Sequence, residues 1–257
     1  MKTDKIAVVT GASTGIGRGI AITLAERGWD VAFTYNRSSK EADKTLAAVE
    51  RHGRRGLAVK CDVGIKADVD AFYDKVAHWG GTPDLLVNNA GTQTWGPLLE
   101  VTEEDWDQVI RTNLKGCFLN TQAVALRMKS AGKGGTIINI GSGCNKLAFP
   151  KLVSYTASKG GIEQFTKVAA VELGPLGIRV NCVAPGAIMI ERTAEEADDY
   201  EGTWSRITPM RRVGQTADIA DIVAYLATPG ASFISGQTIT VDGGVFSQAN
   251  WPYPPEE

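Results

Sequence analysis

The sequence predicts an α/β protein built on a doubly wound, mostly parallel sheet of about seven strands, and three observations predict it. Short apolar, β-branched runs alternate with helix-length segments along the whole chain, a glycine-rich turn follows the first run, and no linker, repeat or low-complexity tract divides the 257 residues. Parallel strands need crossovers, and right-handed crossovers bury both faces of the sheet. A closed barrel of eight β/α units is the rival architecture. A glycine turn placed after the first strand, instead of after the last ones, favours the open sheet.

The strand-like runs fall at 6–10, 30–35, 57–60, 85–88, 136–140, 179–183 and 238–241, and between them lie helical candidates at 17–27, 40–51, 67–79, 103–128, 155–173 and 217–227. Thr102, followed by Glu103, Glu104 and Asp105, reads as an N-cap with acidic residues complementing the helix dipole. Pro97 and a break near Asn113 leave the bounds of that long segment open. One domain spans 1–257. Within it, about 187–213 lacks a strand, carries Glu191, Glu195, Glu196, Asp198, Asp199 and Glu201, and is expected to form a lid or helical insert over the site. The alternative is a solvated acidic helix pair that touches no substrate. The tail 245–257 carries Phe246, Trp251 and Tyr253, costly to leave in water, and is expected to pack on a neighbouring subunit instead of fraying.

A composition of 43% hydrophobic and 22% charged residues can bury a sizeable core, and a formal charge of −2 gives no reason to expect nucleic acid or an anionic membrane as partner. No apolar run is long enough to span a bilayer, and the first residues lead into a strand, so a cytoplasmic location is expected. Cys61, Cys117, Cys144 and Cys182 are widely spaced, and His52 and His78 are the only histidines. That inventory argues against a metal site, a dithiol centre or a secreted disulfide framework.

Two motifs carry chemistry. In the stretch 10–17, Gly11 permits a sharp turn, Gly15 lets backbone approach a pyrophosphate and Gly17 lets the following helix pack closely; the helix N-terminus adds unpaired N–H groups and a positive dipole end. Its Gly-x-x-x-Gly-x-Gly spacing differs from the Gly-x-Gly-x-x-Gly fingerprint. Further on, Tyr155 and Lys159 stand four apart, on one face of a helix. A cation close to a phenol favours the phenolate, which makes a proton donor and acceptor. Alone, the pair reads as two surface residues of a helix.

Together the landmarks resemble the short-chain dehydrogenase/reductase family. They run in order from Lys5 to Gly244: Thr10 to Gly17, Asp62-Val63, Asn88 to Gly91, Asn113, Ser142, Tyr155 with Lys159, Pro185-Gly186, and the closing stretch 234–244. The resemblance implies a Rossmann-type three-layer sandwich and an NAD(P)(H)-dependent oxidoreductase interconverting a carbonyl and a hydroxyl group. It implies that Tyr155 is the general acid in reduction and the base in oxidation, that Ser142 bonds the same substrate oxygen, that Lys159 holds the nicotinamide ribose, and that Asn113 helps hold a relay water. For the cofactor it implies Gly11, Ser13, Thr14, Gly15, Ile16 and Gly17 at the phosphates, Tyr35, Asn36, Arg37 and Ser38 at the adenosine ribose, and Asp62 and Val63 beside the adenine. Asn89, Ala90 and Gly91 fall at its centre; Pro185, Gly186 and Ile188 fall near the nicotinamide. A homotetramer formed through 102–128, 155–173 and 241 onward is the implied assembly.

This chain departs from the family where many relatives carry a threonine after the Pro-Gly: Ile190 stands there, and Thr193 is the nearest substitute. Cys144 follows Ser142 closely and is either a pocket residue or a passive small one. No acidic residue ends the second strand; Arg37 and Ser38 suit a 2′-phosphate, so NADP(H) is favoured, with NAD(H) possible. The substrate expected is a small polar sugar or polyol met by Glu191, Arg192, Asn145 and Lys146. The alternative is a 3-oxoacyl-(acyl-carrier protein) reductase, whose acidic partner would need a basic rim such as Arg127, Lys129 and Lys133, or Arg211 and Arg212. A non-catalytic nucleotide-binding regulator is the distant alternative, since fold alone does not fix function.

Overall fold

The computed structural model describes residues 5–196 and 198–249. Its strands are β1 Ile6–Val9, β2 Asp30–Tyr35, β3 Gly56–Lys60, β4 Leu85–Asn88, β5 Gly135–Ile140, β6 Ile178–Pro185 and β7 Thr238–Val241. Its helices are α1 Gly15–Glu26, α2 Ser39–Arg51, α3 Lys66–Trp79, α4 Glu103–Val109, α5 Gly116–Ser130, α6 Val153–Leu173, α7 Glu191–Glu196, α8 Tyr200–Ile207 and α9 Thr216–Leu226. All pairings are parallel, in the order β3-β2-β1-β4-β5-β6-β7.

Side-chain alternation along the strands divides the core into two layers. Val9, Phe33, Val87, Ile138 and Val183 face one side, where Ile20, Leu24, Ile219 and Val223 of α1 and α9 cover them. Val8, Leu86, Ile137 and Val180 face the other, against Phe72, Tyr73 and Val76 of α3 and Val124 and Met128 of α5. Each such residue, fully buried, contributes roughly 1.5–3 kcal/mol relative to exposure. β3, β5 and β6 run a residue or more beyond the bounds the sequence predicts, because pairing extends wherever a neighbouring backbone is available, and β1 stops one residue short, where the glycine turn begins.

The chain winds β1-β2-β3 outward, then returns so that β4 pairs on the other side of β1, with Val8 opposite Leu86. That reversal opens a crevice beyond the carboxyl ends of β1 and β4, where ligands of such sheets bind. At the opposite edge Asp30, its side chain 1% exposed, pairs with Arg54 at 2.7 Å and Arg55 at 2.6 Å.

The long helix predicted at 103–128 is interrupted. A π-helical turn, Ile110–Lys115, joins α4 to α5, which is why the sequence pattern blurs around Asn113. Such bulges concentrate at functional sites. Segment 187–213 forms α7 and α8, and a single bridge between Ile188 and Gly214 closes its base. Trp251 and Tyr253 of the tail lie outside the described residues.

Candidate active site

A cavity of about 730 Å³ runs along the carboxyl edge of the sheet. Of the sequence-derived residues it is lined by Gly11, Ser13, Thr14, Gly15, Ile16 and Gly17, then Tyr35, Asn36, Arg37, Asp62 and Val63. Asn89, Ala90, Gly91, Ser142, Tyr155, Lys159, Pro185, Gly186 and Ile188 complete that set. Two expected residues do not line it. Ser38 is the exposed N-cap of α2, its side chain bonding none of that helix's N–H groups, and Asn113 is buried beneath the loop after β4.

The glycine turn is held from β4. Asn89 Nδ2 donates to the carbonyls of Thr10 and Gly11, each at 3.0 Å, while the Thr10 hydroxyl accepts from the backbone N–H groups of Asn89 and Ala90, each at 3.0 Å. Gly11 takes a φ of 65°, and a Cβ on Gly17 would lie 2.4 Å from the Asn89 amide nitrogen. Asn89 therefore shapes the turn as well as lining it. The donors left at the start of α1 face the cavity.

At the far end of β5, Ile140 offers its carbonyl to Lys159 Nζ at 2.7 Å. The ammonium is buried and lies 5.4 Å from the Tyr155 ring centroid, so the predicted pair does share one face of α6. Two residues beyond Ile140, Ser142 begins a 3₁₀ turn, Gly143–Asn145. Its hydroxyl accepts from Cys144 N at 3.2 Å, and its N–H donates to Asn145 Oδ1 at 3.0 Å, which fixes the serine against the cavity.

Asn113 spends its side chain on scaffolding. Oδ1 accepts from Thr92 N at 2.8 Å; Nδ2 donates to Thr92 O at 2.9 Å and to Ser158 Oγ at 3.0 Å. Ser158 in turn donates to Tyr155 O at 2.7 Å.

Several residues here were missed. Asn139 joins Asn88, Thr166 and Cys117 in a buried network behind Ser142, with bonds of 2.9, 2.9 and 3.3 Å. An asparagine inside the apolar run of β5 was the available signal, because a buried amide must find partners. Arg111, carried in by the π turn, stands 3.3 Å from Asp62 and lines the adenine end. Trp95, Phe149, Leu152, Tyr200 and Trp204 wall the other end together with Phe246, which was expected against a neighbouring subunit and instead packs edge to face on Phe149 of its own chain at 5.6 Å. They come from four separated segments, so no spacing in the sequence announces them.

The expected substrate-facing polar groups are mostly elsewhere. Arg192 lines the cavity. Asn145 and Lys146 line a second hollow of about 260 Å³ behind Ser142, and Glu191 turns toward α1. The Thr193 hydroxyl does not replace the hydroxyl missing at Ile190: it accepts from Ile190 N at 3.0 Å and lies within bonding reach of the carbonyls of Ile188 and Ile190, inside its own turn. Cys144 is buried and lines the cavity. Burial pushes the thiols of Cys61 and Cys117 up to about 12, which leaves them inert as nucleophiles. Of the expected basic rim, Arg127 and Lys133 pair with Asp74 and Asp84, and within one chain they lie at the amino edge of the sheet, opposite Tyr155.

A family model described as Enoyl-(Acyl carrier protein) reductase matches residues 11–246. The chain is 40% identical over 246 residues to a 3-oxoacyl-[acyl-carrier-protein] reductase of Staphylococcus aureus, covering 96% of this chain and 100% of that one. Among solved structures, an acetoin dehydrogenase from Enterobacter cloacae superimposes with a TM-score of 0.90 at 36% identity, over 99% of this chain and 100% of the other. A putative 2-deoxy-D-gluconate 3-dehydrogenase from Agrobacterium tumefaciens, with bound NADP, gives 0.86 at 33% identity, over 95% and 97%.

Proposed function

The chain belongs to the short-chain dehydrogenase/reductase family and is an oxidoreductase acting on CH–OH groups; from that premise we propose that it handles the substrate proton through Tyr155, with a small polar sugar, polyol or hydroxyketone as substrate. The observation that carries the reading is the convergence of Tyr155, Ser142 and Lys159 on one cavity whose other half is a glycine turn at a helix N-terminus. The residues fit a nicotinamide dinucleotide. The N–H groups of α1 would meet its pyrophosphate, Asp62 and Val63 its adenine, and Lys159 its nicotinamide ribose. When bound, that group supplies or accepts the hydride.

The residues of the chain do the rest. Tyr155 donates its phenolic proton to the carbonyl oxygen in reduction and takes it back in oxidation, while Ser142 donates a second hydrogen bond to the same oxygen. Lys159, fixed by the Ile140 carbonyl, lies beside the Tyr155 ring, where it would hold the nicotinamide ribose. Asn113 acts by holding Thr92 and Ser158, and thereby the two walls of the site, in register. Segment 187–213 closes over the substrate end as a lid.

Arg37 at the mouth of the adenosine end supports NADP(H) over NAD(H), since a guanidinium there binds a 2′-phosphate that an acidic residue would repel. Aromatic walls with few polar groups, Gln93 and Arg192 among them, support a small substrate that packs its C–H faces and hydrogen-bonds at its edge. A second reading, reduction of a 3-oxoacyl group on a carrier protein, is favoured by the identity to the staphylococcal enzyme. Exposed Glu191, Asp198, Asp199 and Glu201 near the substrate end oppose an acidic partner. Apolar side chains left exposed on α5 and α6, Phe118, Val168 and Val171, support a homotetramer, and four buried free thiols support a reducing compartment such as the cytoplasm.

The test is a panel of aldoses, polyols, vicinal hydroxyketones and 3-oxoacyl thioesters, read by nicotinamide absorbance with both nucleotides. Turnover of a polyol or hydroxyketone at the highest kcat/KM, with NADP(H) preferred, is expected. Preference for the thioesters sinks the substrate assignment, and preference for NAD(H) sinks the role of Arg37.

A further inference from the structure

The carboxylate of Glu191 sits on the N-terminus of α1. Gly15 N donates to its Oε2 at 3.0 Å, and Arg18 Nη1 pairs with its Oε1 at 3.0 Å. Gly15 lines the cavity, and its N–H is a donor of the kind that holds an anion at a helix N-terminus. The contact is prepared by its neighbours. Ile190 lies over the turn, its side-chain carbons 3.6 Å from a Cβ built on Gly15, and the Thr193 hydroxyl ties the backbone of Ile188 and Ile190 so that the next residue points at α1. Arg18 is also paired with Glu41 at 2.6 Å. Glu41 is shared with Lys44 at 2.6 Å, so Arg18, Lys44, Glu41 and Glu191 form a charge-balanced cluster beside donors suited to a phosphate.

We propose that Glu191 is an internal competitor of the cofactor pyrophosphate and sets the affinity for the nucleotide. One set of donors cannot serve a carboxylate and a pyrophosphate at once, and like charges side by side oppose co-occupancy. Nucleotide entry therefore expels Glu191 and releases the start of α7, which couples filling of the cofactor half to rearrangement of the segment over the substrate half. The isoleucine at position 190, where relatives carry a hydroxyl, is part of the device: it packs on the turn and delivers the next residue to α1. The inference rests on the reading of the cavity as a dinucleotide site.

The apparent dissociation constant equals the intrinsic one divided by the fraction of molecules with Glu191 out, so removing the carboxylate tightens binding. Exposed helix-terminus and ion-pair contacts of this kind correspond to about three- to tenfold. The experiment titrates NADPH and NADH into wild type, Glu191→Ala and Glu191→Gln, following tryptophan fluorescence, and records the thermal midpoint of each protein without nucleotide. Expected is three- to tenfold tighter binding by Glu191→Ala, a smaller gain for Glu191→Gln, and midpoints equal to or below wild type. A merely structural glutamate lowers affinity and midpoint together. Unchanged or weakened affinity in both variants overturns the proposal and leaves the cavity reading standing. Failure of all three proteins to bind either nucleotide overturns the cavity reading and the competitor with it.

Discussion

The two halves of the cavity are built differently. The glycine-turn half is made of strand ends, a helix N-terminus and short local bonds, with Asn89 and Thr10 stitching β4 to β1. The half under 187–213 is made of large side chains from separated segments, Trp95, Phe149, Trp204 and Phe246, beneath a segment whose two ends are joined by one bridge. A rigid half positions a common cofactor and an adaptable half selects the substrate, so reaction type can be constant while substrate varies. Mutations should separate the two.

The largest separation is expected from Gly17→Ala. A methyl group there meets the Asn89 amide at 2.4 Å and the Gly11 carbonyl at 2.6 Å, so the turn must open. Nucleotide affinity should fall by more than about tenfold, with a stability loss of about 1–3 kcal/mol seen in thermal unfolding. If nucleotide still binds as in wild type, the cofactor half is less rigid than argued.

Next is Arg37→Ala, which acts at one end of the same half. Loss of a charge-assisted contact should lower NADP(H) affinity about tenfold and leave NAD(H) unchanged. A parallel loss for both nucleotides would show that Arg37 reads no 2′-phosphate.

In the other half, Trp204→Ala should raise KM for the best substrate about three- to tenfold and leave nucleotide affinity within twofold. A change in nucleotide affinity without a change in KM would reverse the division of labour.

The smallest effect concerns pH. Burial tends to raise the Asp30 carboxyl, but bonds from Arg55 and the charge of Arg54 outweigh it and hold it below the ordinary value; the Arg212 hydrogen bond does the same for Asp218. Carboxylates with depressed values contribute stability fully present above their unfolded value, about 4, and lost as pH falls through the folded one. The unfolding midpoint should be flat from about pH 8 to 5 and fall below about pH 4. Asp30 braces the amino edge of the sheet, and Asp218, paired at 2.7 and 2.8 Å with Arg212, fastens the end of 187–213 to α9. Asp30→Asn should therefore cost more stability than the partly exposed Asp218→Asn, by calorimetry at pH 7.

Legibility in the sequence follows the same division. Strands buried on both faces write themselves as continuous apolar runs, so β2 and β4 coincide with their predicted bounds, while the partly buried edge strand β7 is marked by its β-branched residues. The glycine turn and the Tyr155–Lys159 pair were legible because local backbone geometry and helical spacing mark them, and Ser142 was reached through the resemblance. Asn113 was reached through the resemblance alone; its side-chain bonds to Thr92 and Ser158 join residues distant in sequence and had no local signal. Ser38 was placed at the ribose by adjacency to Arg37, yet one residue is enough to enter α2 and turn outward. Glu191 was read as a substrate contact, since nothing local reveals that Ile190 lies on Gly15 from 175 residues away. The aromatic wall was illegible for the reason that makes it adaptable: its members meet only in the fold.

The central claim is that Tyr155 carries the proton in a cavity whose other half holds the cofactor independently. Tyr155→Phe keeps the ring and removes the hydroxyl, and stopped-flow absorbance of NADPH mixed with the best substrate reads the single turnover directly. The account predicts a rate lowered by about 10²–10⁴-fold with nucleotide affinity within twofold of wild type. A rate near wild type in that variant would contradict it.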